Sequence, residues 1–332
     1  MKSINSTIGI LATSVACIAI SSNALARSSA EVGSQQMEQA NLKKQLLKPA
    51  TDAIPSLYNG ETEDIGPQTA ISANAPKPKH QWFELSLDTQ FLYTSNAFLN
   101  QTDPVDTSLM VTTAQLAIVA PTIQLGNGTL QLKGGYQHQK FNFGIYTGGK
   151  ESVFNNADFD VSTLFIQGRY LFNENWVASF GVDYSRLLSA DRGSYTEAYA
   201  EVQPKVGLDR TFKIDDKSSI NVGVSGNLHL TTIPVGNPGV LDRLDEALMV
   251  SYSREIIPNL TIEPYYRIQF TQYYQTQSRN DITQSVGAAV GYSINKWASV
   301  RATFGFEHRE SEVAPTYDKV DTGLGISLQA KF

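Results

Sequence analysis

The chain has 332 residues, of which 41% are hydrophobic, with Tyr and Phe at 15 each, and its 26 basic against 32 acidic residues give a formal net charge of −6. An acidic balance of this kind points away from a nucleic-acid partner. The apolar content is rather low for a large soluble protein and rich in aromatics, so it is spread along the chain.

In chain order, the first segment is MKSINSTIGILATSVACIAISSNALA, with a basic start at Lys2, an apolar stretch from Ile8 to Ile20 and the small-x-small pattern Ala24-Leu25-Ala26. This reads as an export signal over residues 1–26, cleaved after Ala26. A spanning helix would need roughly 20 apolar residues, whereas this stretch is shorter and carries Thr13 and Ser14. A lipoprotein signal at Cys17 fits poorly, because Ser14 takes the place of a bulky aliphatic residue. Cys17 is the only cysteine, so the mature chain has no disulfide to form.

Residues 27–80 form a tether, with a helix-prone part at 31–48 followed by Pro49, Pro55, Pro67, Pro76 and Pro78. From residue 81 onward the text changes to period two. In WFELSLDTQFLY the residues Phe83, Leu85, Leu87, Thr89, Phe91 and Tyr93 share one face and Glu84, Ser86, Asp88 and Gln90 the other, the pattern of a strand between oil and water.

The alternation recurs, predicting twelve strands near 82–95, 107–123, 129–141, 158–172, 176–187, 196–212, 218–232, 243–254, 260–274, 279–293, 297–309 and 318–332. Short connectors such as LGNG (125–128), NEN (173–175) and INK (294–296) alternate with longer ones such as 95–106, 142–157, SADRGSY (189–195) and 233–242. Tight turns at one end and long loops at the other predict an all-β fold, a transmembrane antiparallel β-barrel over 81–332. Two strands leave their register open: Met110, Leu116 and Ile118 compete with Val111 and Val119, and Leu164 and Ile166 with Phe159, Val161 and Phe165.

A soluble sandwich also alternates, and aromatic placement separates the two. Trp82, Trp176 and Trp297 fall at the turn ends of rising strands, and Phe172, Phe212, Tyr252, Tyr292 and Phe332 end the falling ones at forty-residue intervals. Such a ring suits the headgroup level of a membrane. A forty-residue period also suits propeller blades, but each period holds two long strands rather than four short ones.

The ending GISLQAKF (325–332), a terminal aromatic after alternating apolar residues, resembles the C-terminal recognition signal of bacterial outer-membrane β-barrel proteins. The resemblance to porin-like proteins covers about 82–332 and implies a Gram-negative outer membrane, contact with its lipid, the barrel assembly machinery as partner through the last strand, and a periplasmic N-terminal extension and C-terminus. Residues 93–118 more loosely resemble barrels associated with exopolysaccharide secretion.

With the apolar faces outward, the side chains facing the axis include Lys133, Arg169, Tyr199, Glu201, Lys205, Glu263, Tyr265, Arg267, Tyr273, Arg301 and Glu307, a mixture of both charge signs and tyrosines. Ser285, Gly287, Ala289, Gly291, Gly305, Gly323, Gly325 and Ser327 are expected to leave room inside. These features suit passive diffusion of small polar solutes, oligosaccharides among them, with a plugged, closed or secretion-associated barrel as the alternative.

Catalysis is not expected. A lipase needs a serine beside a base histidine, and no histidine here is followed two places later by serine, although His138, His229 and His308 fall near the outer strand ends. The autotransporter translocator, a twelve-stranded barrel with an inner helix, is resembled only poorly, since 27–80 ends in Pro-rich sequence. No calcium loop, phosphate loop or dinucleotide fingerprint occurs, so neither metal nor cofactor is expected.

Overall fold

The computed structural model describes residues 82–332 apart from positions 98, 100, 102–103, 147–157, 174, 192–193, 233–240, 275–278 and 313–315. The expected signal at 1–26 and tether at 27–80 lie outside the described residues. The strands are β1 (Phe83–Thr94), β2 (Thr107–Val119), β3 (Ile123–Leu125), β4 (Gly128–Tyr146), β5 (Phe159–Asn173), β6 (Trp176–Asp191), β7 (Ser194–Lys213), β8 (Ser218–Thr232), β9 (Arg243–Ile257), β10 (Leu260–Tyr273), β11 (Asn280–Ser293), β12 (Ala298–Ser311) and β13 (Tyr317–Lys331).

Each strand pairs antiparallel with its neighbours, β1 pairs with β13, and β2 pairs with β4, so the sheet closes on itself. The three-residue β3 continues β2 beyond Pro121 and pairs only with the foot of β4, which leaves a barrel of twelve strands. Pro121 breaks what the sequence presents as one strand over 107–123, because it has no N–H for the ladder. Pro204 and Pro264, inside β7 and β10, similarly sit where the ladders to β8 and β9 skip a pair of residues.

Local chemistry closes the tight turns. Gly126, with φ of 59°, and Asn259, with φ of 70°, supply the left-handed positions that two of these hairpins require. The Asn295 side-chain oxygen accepts from the N–H groups of Trp297 (2.7 Å) and Ala298 (3.0 Å). Between β7 and β8, the Lys217 N–H donates to Asp215 Oδ1 at 2.8 Å and holds that carboxyl below the usual carboxylate range. At the opposite end, where a seven-residue loop is expected at 189–195, β6 instead runs to Asp191 and β7 starts at Ser194, and these two residues pair.

Orientation follows the alternation. Leu85, Leu87 and Phe91 on β1 and Leu324, Ile326 and Leu328 on β13 are exposed outward, while Glu84, Gln90, Lys319 and Asp321 are buried inside. The open registers resolve with Leu116, Ile118, Leu164 and Ile166 outward and Val111, Phe159, Val161 and Phe165 inward. Both faces of β2 and β5 are apolar because the inner residues pack together: Leu92, Leu109, Val111, Phe141, Phe159, Val161 and Leu187 form one cluster inside the barrel, toward the end opposite the tight turns. Phe141 and Phe159 stack there at 4.5 Å between ring centroids.

Candidate functional site

The inner wall is a set of polar networks laid along the strands. Lys133 on β4 reaches past β2 to Glu84 on β1 (2.5 Å), which also meets Lys331 at 3.4 Å. Arg301 on β12 reaches past β13 to Asp88 on β1 (2.7 Å) and donates to Ser327 (2.7 Å). Lys319, fully enclosed, lies 3.3 Å from both Glu307 and Asp321. The Tyr317 hydroxyl donates to the same Glu307 oxygen, Oε1, over 2.8 Å.

On the facing side Lys205 pairs with Asp183 at 2.5 Å. His229 has Glu201 3.0 Å from Nδ1, Asp245 3.0 Å from Nε2 and the Gln203 amide at 3.3 Å. Ser251 donates to Glu263 at 2.8 Å. Each of these pairs joins one strand to itself, to its neighbour or to the next but one. Charges of both signs are therefore neutralised against the wall, which keeps their low-dielectric cost down.

The residues expected to face the axis thus divide. Lys133, Glu201, Lys205, Glu263, Arg301 and Glu307 enter these networks; Arg169, Tyr265, Arg267 and Tyr273 occupy inward positions of β5 and β10 by the same alternation, and the side chain of Tyr199 lies outside the described residues. The expected roomy wall is a correction. Tyr265 lies over Gly287, where an added Cβ would come within 2.7 Å of its hydroxyl; Leu92 and Thr303 cover Gly323, and Arg301 and Gln90 cover Gly325. Gly287, Gly323 and Gly325 are seats for large side chains, not empty space.

Away from the His229 network and the apolar cluster, the inner wall of β4 to β9 is less crowded. Lys133, Gln137, Ser179, Asp183, Asn227 and Ala247 are only half-buried although they point inward, and Ser225 on β8 is exposed. The end opposite the tight turns is narrowed by the apolar cluster on β1, β2 and β4 to β6 and by the β1–β2 connection. Ala97 and Val105 of the β1–β2 connection are buried against Phe143, and that connection is tied down by the Val320 N–H donating to Ser95 Oγ (2.8 Å). No sequence signal announced this cap, because its inward residues break the polar-inside rule locally.

At the tight-turn end the eight expected aromatics stand on the outer face or at strand ends. Trp82, Phe212, Tyr292, Trp297 and Phe332 are exposed, and Phe172 stacks near Trp176 at 6.0 Å. Arg210 lies over both Trp176 (5.1 Å) and Phe212 (4.3 Å), and Lys296 over Trp297 (4.8 Å). Rings with cations laid across them suit a layer where hydrocarbon meets phosphate.

A closed sheet with a greasy exterior and a polar, ion-paired interior is the construction of an outer-membrane β-barrel. No protein-family model matches the sequence, and no match is found among curated proteins. Similar solved structures include the β-domain of the Bordetella autotransporter BrkA, at 12% identity and a TM-score of 0.46 over 76% of this chain and 100% of that one. An outer-membrane channel from Pseudomonas putida F1 shares 12% identity with a TM-score of 0.47 over 75% of this chain and 96% of that one. The KdgM porin shares 12% identity with a TM-score of 0.38 over 73% and 98%.

Proposed function

We propose that this chain forms a narrow channel for passive diffusion of small polar solutes, oligosaccharides among them, across a Gram-negative outer membrane. The observation that carries the reading is the layout of the inner charges. The ion pairs described above run along the wall, and half-buried Ser179, Asp183, Asn227 and Ala247 with exposed Ser225 support a water-filled axis beside the middle of β6 to β9. Balanced charge gives such a passage little preference for anions or cations. On the inner face of β10, half-buried Arg267 and Tyr273 would meet a passing sugar, while Tyr265 and Glu263 are buried in the wall beside them.

In this reading the tight-turn end, with Phe332 and the N-terminal tether at 27–80, faces the periplasm after removal of 1–26, and the last strand is what the assembly machinery recognises. The second reading is a closed or secretion-associated barrel, and the apolar cap around Phe141, Phe159 and Phe143 favours it. Single-channel recording of the purified chain in planar bilayers, with and without a panel of sugars, separates the two. Steps partly blocked by a sugar support the channel; insertion without conductance above background leaves the closed scaffold.

A further inference from the structure

The outer wall carries a polar group that transport does not use. His138 on β4 and Ser162 on β5 are 24 residues apart in sequence, and His138 Nδ1 lies 3.1 Å from Ser162 Oγ. On its other edge, His138 Nε2 is 3.3 Å from Asp160 Oδ2, a carboxylate only 5% exposed between its register neighbours Lys140 and Leu188. The Tyr136 hydroxyl is 3.0 Å from Ser162 Oγ. One tautomer satisfies all three groups, with Nε2–H donating to Asp160 and Nδ1 accepting from Ser162. That is a nucleophile, a base and a positioning carboxylate in hydrogen-bonded series.

The depth of this group on the wall indicates its substrate. Below Ser162, outward positions on β5 are Leu164 and Ile166, at 57% and 71% exposure. At the same level the outward rings are Tyr136 on β4 and Tyr184 on β6, and above them come Lys140 and Arg186. The apolar-to-polar boundary, where the ester carbonyls of an outer-leaflet lipid lie, therefore passes beside Ser162. We propose that Ser162, His138 and Asp160 form an acyl-ester hydrolase site on the membrane-facing wall, acting on carboxylic esters of lipids.

In the reaction, His138 Nδ1 takes the Ser162 hydroxyl proton as Oγ bonds to the ester carbonyl carbon. Asp160 holds the imidazolium through Nε2–H, and the Tyr136 hydroxyl, which donates to Ser162 Oγ before attack, then turns to the developing oxyanion. Collapse breaks the carbon–alkoxy bond, and the proton on His138 passes to the leaving alcohol. Water, deprotonated by His138, then attacks the acyl-Ser162 ester, releasing the carboxylic acid and restoring the serine. The sum is ester plus water to acid plus alcohol. The site needs the outer wall to meet lipid and does not depend on whether the lumen conducts.

The test uses the full chain folded into phosphatidylethanolamine–phosphatidylglycerol vesicles and treated with a fluorophosphonate probe, with labelled peptides identified by mass spectrometry and p-nitrophenyl palmitate as reporter ester. The expected result is a label on Ser162 and ester turnover that falls about a hundredfold or more in both Ser162→Ala and His138→Ala, with Ser225→Ala unchanged. Asp160→Asn should lower kcat with KM little changed, because the Nε2–H of His138 loses the carboxylate that holds the ring in its working tautomer. The proposal is overturned if Ser162 in folded protein takes up no more probe than Ser225, or if Ser162→Ala hydrolyses the ester as fast as the parent chain.

Discussion

Phe83 and Phe332 exchange both of their backbone hydrogen bonds: the Phe83 N–H donates to the Phe332 carbonyl at 2.9 Å, and the Phe332 N–H returns to the Phe83 carbonyl at 3.0 Å. The first and last residues of the barrel are thus one rung of its ladder, at the end where the aromatic ring lies. In hydrocarbon an unpaired edge costs several kcal/mol for each exposed group, so the seam has to be closed to its last residue.

Deleting Phe332 separates closure from recognition. Eleven further register pairs, Glu84–Lys331 to Thr94–Asp321, still join β1 to β13. Refolding into lipid vesicles, followed by heat-modifiable gel mobility, should therefore remain near that of the parent. Assembly in cells should fall sharply if the last residue is read by the assembly machinery. An equal loss in both measurements would assign Phe332 to the seam alone.

Lys319 is enclosed between Glu307 and Asp321. Lys319→Met keeps an unbranched side chain of nearly the same length but strands two buried carboxylates without their cation. Loss of one partner from a buried pair costs about 3–5 kcal/mol. Urea unfolding of vesicle-inserted protein should show a destabilisation of that order, partly relieved by the double change Lys319→Met with Glu307→Gln.

The two faces should respond oppositely to charge. Ile166, 71% exposed on the outer wall, becomes a charge in lipid when changed to arginine, at a cost of about 2–4 kcal/mol near the bilayer midplane. Ser225→Arg places the same charge inside, where water reaches, and should leave the unfolding midpoint nearly unchanged. Its effect belongs in conductance, which should drop and turn toward anions.

The apolar cap at the outer end makes a further distinction. Phe141→Ala with Phe159→Ala removes the stacked pair at the centre of the cluster. Such truncations cost about 3–5 kcal/mol each in a dry core; here the loss should be smaller, since water can enter the space. Conductance should rise above the parent level if this cluster narrows the passage, and stay the same if the constriction lies elsewhere.

Much of the barrel could be read from particular stretches. FELSLDTQF already displays the sidedness of β1, and the expected strand at 218–232 coincides with β8 to the residue. Where reading failed, the cause was local exception. Pro121 interrupts a strand that alternation alone would continue, and β2 and β5 present apolar residues on both faces because one of those faces is packed inside. The glycines of β11 to β13 suggested space, since nothing in their own neighbourhood reveals the ring of Tyr265 lying across Gly287.

Side-chain direction in a strand has a period of two residues, so inside and outside are written into any short run of the chain. Contacts around a closed barrel depend instead on hairpin lengths and strand stagger summed over the whole circuit. That is why Glu84 meets Lys133 from 49 residues away, Asp88 meets Arg301 from 213, and His138 meets Ser162 on the neighbouring strand, where no search along the chain for adjacent histidine and serine would find them. Alternation named the wall on which each group stands, and only closure of the sheet chose its partner.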